Sequence, residues 1–82
     1  MSQDSLVKMA NDIAAFFRAE PVHEEAVGGI VNHISRYWTP RMREKLVARI
    51  DHGDPGLDAL ALEAARRLAA QMRAAAQAKP RA

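Results

Sequence analysis

Apolar side chains recur along this chain at three- and four-residue spacing, the pattern of helices that each bury one face. Leu6, Met9, Ala10, Ile13, Phe16 and Phe17 fall on one stripe at about 100° per residue, while Lys8, Asn11, Asp12 and Arg18 face away. Glu20-Pro21 stops this first helix, because proline has no N–H to donate and restricts the residue before it. A second helix is predicted over about 22–38, with Val27, Ile30, Val31, Ile34 and Trp38 on its apolar face. Glu24 and Glu25 put negative charge in its first turn, where the helix dipole favours it. Gly28-Gly29 lies inside the pattern at about 1 kcal/mol per glycine relative to alanine. The pair therefore marks a close helix–helix approach or a local break.

Thr39-Pro40 is a restart signal: the threonine hydroxyl can cap, and proline suits the first helical position, where no N–H is needed. The third helix, about 40–52, carries Met42, Leu46, Val47 and Ile50 on one side, and Gly53 ends it. His52-Gly53-Asp54-Pro55-Gly56 reads as a loop. The fourth helix, about 57–77, has Asp58 as its N-cap, with Leu57 placed to staple onto Leu62. Its main stripe is Leu57, Ala61, Ala64, Ala65, Leu68, Met72 and Ala75. Leu60 and Leu62 sit on opposite flanks, so its start is apolar on most sides, more than a small monomer covers. The expected fold is all-α, a small bundle of about four helices without a sheet. One helical domain spans 1–78, and residues 79–82 form a flexible basic tail.

Composition narrows the chemistry. A chain of 82 residues hides only roughly 60–65% of its unfolded surface, so its own core stabilises it by about 3–5 kcal/mol. There is no cysteine, hence no disulfide, thiolate zinc site or iron–sulfur ligand set. Met1-Ser2-Gln3-Asp4 lacks the basic opening and apolar core of a signal peptide, and no apolar run approaches the roughly 20 residues that span a bilayer. A soluble, intracellular protein is expected. Residues 1–38 hold three basic and five acidic side chains, and residues 39–82 nine and five. That polarity can steer an acidic partner but falls short of the dense charge of a nucleic-acid binder.

Catalytic signatures are absent. His23, His33 and His52 have no partner at metal-binding spacing, and His23-Glu24-Glu25-Ala26-Val27 lacks the second histidine of a zinc-protease motif. No nucleophile elbow surrounds Ser2, Ser5, Ser35 or Thr39, and no glycine loop suits a phosphate. Glu24-Glu25 reads as helix-start charge rather than a general acid–base pair.

The strongest local signal is the stretch 32–43, which holds the only Tyr, the only Trp, a helix–helix corner and three arginines. Its aromatics also read as corner packing, since Trp38 lies on the core stripe. Arg43 projects between Met42 and Val47 into its helix's apolar sector, so it needs a carboxylate or carbonyl partner, in this chain or across an interface. Trp, Tyr and Arg are enriched at interface hot spots. The candidate partner-binding residues are therefore His33, Arg36, Tyr37, Trp38, Pro40, Arg41, Met42 and Arg43, joined by Leu60 and Leu62. A second reading takes Arg36, Arg41, Arg43, Lys45 and Arg49 as a nucleic-acid contact around a loosely helix-turn-helix-like corner. A third is self-association through the apolar surplus.

The same residues carry a resemblance. A Met-Ala-Asn-x-Ile-x-x-Phe-Phe opening (Met9, Ala10, Asn11, Ile13, Phe16, Phe17) is joined to a Trp-x-Pro-Arg-Met-Arg corner (Trp38, Pro40, Arg41, Met42, Arg43). With Glu24-Glu25-Ala26-Val27, Gly56-Leu57-Asp58 and Leu62-Glu63-Ala64, the chain resembles the delta subunit of NAD-dependent formate dehydrogenases up to about Leu68. Asp12 departs from the pattern, standing where glutamine is more familiar. The resemblance implies a non-catalytic accessory subunit of a cytoplasmic complex that oxidises formate to carbon dioxide and reduces NAD. It implies a catalytic alpha subunit carrying a molybdenum or tungsten bis-pterin guanine dinucleotide (bis-MGD) cofactor and iron–sulfur clusters. Beta and gamma subunits would carry FMN, the NAD site and further clusters. No cofactor is expected in this chain, nor any membrane or nucleic-acid partner. Its implied task is docking on the alpha subunit in support of assembly or stability.

Overall fold

Four helices follow the predicted breaks: α1 (Gln3–Phe17), α2 (His23–Tyr37), α3 (Pro40–Asp51) and α4 (Ala59–Ala78). The computed structural model describes residues 3–53 and 56–78, with no strand among them. Asp54 and Pro55 of the expected loop, and the tail expected at 79–82, lie outside the described residues.

Local chemistry accounts for the helix ends. Thr39 is extended, its hydroxyl accepts the N–H of Met42 at 3.2 Å, and Pro40 opens α3 as expected. Gly53, at φ +108°, follows the end of α3 in the left-handed region. Asp58 caps α4, its Oδ1 accepting the N–H of Ala61 at 2.8 Å. Val22 precedes α2 without a side-chain cap, leaving the first-turn charges Glu24 and Glu25 to complement the dipole.

All four helices contribute to one core: Ala10 and Ala14 from α1, Val27, Ile30, Val31 and Ile34 from α2, Leu46 from α3, and Ala61, Ala64, Ala65 and Leu68 from α4. Trp38, between α2 and α3, completes it. The division of sizes matters. The large β-branched side chains come from α2, whereas α1 and α4 present mostly alanine, which lets helix axes approach closely. This differs from the predicted α1 stripe. The buried positions are Val7, Ala10 and Ala14, flanked by Leu6, Ile13 and Phe17, while Met9 is 39% and Phe16 75% exposed. The helix is rotated so that its small residues face inward.

Two other expectations change. Asn11 and Arg18 do not simply face solvent: Asn11 Oδ1 accepts the N–H of Asp58 at 2.9 Å, Asn11 Nδ2 donates to Gly56 O at 3.2 Å, and Arg18 pairs with the Asp58 carboxylate. On α4, Ala75 is exposed and Ala69 buried, so the buried face ends earlier than predicted. Of the glycine pair, only Gly29 meets a close approach. A Cβ there would lie 2.5 Å from Phe17 Cε1, whereas nothing approaches Gly28 within 4 Å. The α2 helix runs unbroken through both.

Candidate functional site

The corner between α2 and α3 is built by capping. The N–H of Trp38 donates to Ile34 O at 3.0 Å, closing α2, and the N–H of Arg43 donates to Thr39 O at 3.1 Å, opening α3. The Arg43 side chain then reaches back across the turn. Its Nη1 donates to Trp38 O at 2.7 Å and, more weakly, to Ser35 O at 3.3 Å. A guanidinium thus meets the carbonyl end of the α2 dipole, where positive charge is favoured. The partner that Arg43 was expected to need lies within the chain.

This clasp separates the predicted partner-binding residues into an inner and an outer group. Trp38 is 5% exposed and belongs to the core, with Met42 packed against it in part and Arg43 half-buried on its carbonyls. Arg36, Pro40 and Arg41 are exposed, and Tyr37 is 69% exposed. His33 lies half-buried one turn before Tyr37, their rings 4.8 Å apart at 44°.

Leu60 is not brought to the corner. It packs against the core and borders an open cleft with Arg18, Glu20, Pro21, His23, Ala26, Ala59 and Glu63, beside the first turn of α2 and a helix length from the corner. Leu62 is also only half-buried. The bare apolar start expected for α4 is therefore largely covered, because α1 and the beginning of α2 fold over it. The large apolar side chains that are exposed, among the described residues, are Met9, Phe16, Val22 and Tyr37. Two residues were named in the sequence only in other roles, Phe16 in the apolar stripe and Lys45 in the nucleic-acid reading. Phe16, counted toward the core, is exposed because the alanine face of α1 turns inward instead; its neighbour Phe17 takes the inner position, edge-on at 5.1 Å. Lys45 is exposed one turn after Arg41, and that i,i+4 spacing was a readable signal.

Charge is arranged unevenly. Around the α4 face, Arg18 pairs with Asp58, Arg67 with Glu24 at 2.7 Å and Arg73 with Asp51 at 3.6 Å, and the His23 ring lies in hydrogen-bond contact with Glu63 at 2.7 Å. No described carboxylate lies within salt-bridge reach of Arg36, Arg41 or Lys45. With Arg43 turned inward, the basic residues of 36–49 do not form the single outward stripe that a duplex backbone requires. Among the described residues, no three His, Asp or Glu side chains converge as a metal site, and no helix is long and apolar enough to cross a membrane.

A family model described as the NADH-dependent formate dehydrogenase delta subunit FdsD matches residues 5–65, from the first turn of α1 through the corner and into α4. No curated protein and no solved structure matches the chain.

Proposed function

The chain belongs to the formate dehydrogenase delta-subunit family, and from that premise we propose that it is a non-catalytic accessory subunit that docks on the catalytic alpha subunit and supports assembly or stability of the complex. The observation that carries this reading is the family match over residues 5–65, which takes in three whole helices bar two residues and the capped corner. The physical route is mass action. A subunit that binds only the folded, assembled form of its partner shifts the equilibrium toward that form, by about 2.7 kcal/mol when its free concentration is a hundredfold above Kd.

In this reading the formate chemistry belongs to the partners, working in the cytoplasm. The alpha subunit supplies the bis-MGD molybdenum or tungsten centre and iron–sulfur clusters, and the beta and gamma subunits supply FMN, the NAD site and further clusters. This chain supplies surface. Its lack of cysteine is consistent with that division, since thiolates are the usual cluster ligands.

The test is purification of the tagged chain from its native cell, with identification of what accompanies it, and comparison of the enzyme's subunit retention with and without the chain. Stoichiometric co-elution with a formate-oxidising metalloenzyme, together with earlier thermal dissociation when the chain is deleted, is the expected result. Recovery without such an enzyme would overturn the proposal.

A further inference from the structure

We infer that the outer side of the α2–α3 corner, with Arg36, Tyr37, Arg41 and Lys45, is the docking face, and that its occupant is a carboxylate-rich surface of the catalytic subunit. This rests on the accessory-subunit reading and adds the face and the chemistry of what it meets.

Charge complementarity is the first argument. Lys8, Arg18, Arg67 and Arg73 each have a carboxylate within 3.6 Å in this chain, whereas Arg36, Arg41, Lys45 and Arg66 have none among the described residues; Arg66 stands alone on α4, while the other three fall within ten residues of one corner. Residues 36–45 hold four basic side chains against one acidic, Glu44. An exposed cation cluster without internal partners is matched by carboxylates on the opposing surface, and such matching raises association rate and fixes register. Arginine adds geometry, because its planar fork takes a carboxylate through two parallel hydrogen bonds.

The second argument is preorganisation. Tyr37, next to Arg36 in the chain, is 69% exposed, with the His33 ring 4.8 Å away along the helix. An aromatic anchor already packed on one side loses less rotamer freedom on binding than a free one. The backbone beneath it is held at three points: Trp38 in the core, Thr39 on the N–H of Met42, and Arg43 on the carbonyls of Ser35 and Trp38. Trp38 and Arg43 are thus positioning residues for the face, and Tyr37, Arg36, Arg41 and Lys45 make the contacts.

The test co-expresses the full tagged chain with the formate dehydrogenase subunits and measures co-elution of the catalytic subunit at low and high salt. R36E/R41E/K45E is compared with R66E, a reversal of an exposed cation on α4. Circular dichroism confirms that each variant is folded, and R36Q/R41Q/K45Q replaces the reversal if it is not. The expected result is an affinity loss of about tenfold or more in the triple variant, little change in R66E, and weaker wild-type association as salt rises. Wild-type-like association of the folded triple variant overturns the assignment of the face while leaving the accessory reading intact. Failure of the wild-type chain to co-elute at any salt overturns both. Salt-sensitive retention of the wild-type chain on duplex DNA, lost in the triple variant while subunit association is kept, assigns the cluster to nucleic acid and also overturns it.

Discussion

The two ends of α2 use polar side chains in opposite ways. At its beginning, Glu24 meets Arg67 and Arg18 nearby meets Asp58, charges paired side chain to side chain, while the His23 ring makes a hydrogen-bond contact with Glu63. At its end, Arg43 bonds to main-chain carbonyls, and Arg36 and Arg41 are exposed with no carboxylate partner among the described residues. Exposed ion pairs of the first kind contribute little, about 0.2–1 kcal/mol each. Their effect is to neutralise the cations near the beginning of α2, where Glu20 and Glu25 keep an acidic balance. The other end keeps its charge available, and what fixes its shape is capping and a buried indole. A partner that recognises positive charge meets only one of these ends.

Six substitutions test that contrast. Trp38→Ala should be the most damaging: the cavity it leaves costs about 3–5 kcal/mol, as much as a core this size supplies, so the isolated chain should lose its cooperative denaturant transition. A cost under about 1 kcal/mol would show that the corner does not depend on its indole. Midway along α2, Gly29→Ala should cost about 1–3 kcal/mol, because the added methyl displaces the Phe17 ring. Gly28→Ala, with open space, should instead raise the unfolding midpoint by about 0.5–1 kcal/mol equivalent. Equal effects at the two glycines would contradict the close approach of Phe17. Asp58→Ala removes the α4 cap and the partner of Arg18 and should cost about 1–2 kcal/mol. Thermal melts of this variant beside Arg18→Ala separate the cap from the weaker ion pair. The smallest stability change is expected for Tyr37→Ala, within about 0.5 kcal/mol, although co-elution with the catalytic subunit should fall. A variant that melts early yet still associates would place Tyr37 in the fold rather than on the face.

Much of this architecture was legible in the chain. Proline-21, Thr39-Pro40 and Asp58 act through local backbone chemistry, so the breaks and caps they imply match the observed helix ends within about two residues. The orientation of α1 was not legible, for a physical reason. Periodicity weighs large side chains most, and Met9 and Phe16 drew the stripe toward themselves, although alanine at positions 10 and 14 decides which face can approach α2 and α4. The same holds at the candidate site. Arg43's need for a partner followed from its place in an apolar sector, but which carbonyls it would find depended on how α3 folds back across the end of α2. Asn11 shows the limit most plainly, since its partners Gly56 and Asp58 are 45 and 47 residues away.

The alanine lining of α1 and α4 sets a ceiling on side-chain volume along their inward faces. Any larger residue at positions such as Ala14 or Ala64, both fully buried, must wedge two helices apart. Tolerance to mutation is consequently lopsided, narrow on the inside of these two rods and wide on the outside. A designer seeking to retarget the protein can redraw its outer skin freely while leaving that tightly fitted interior alone.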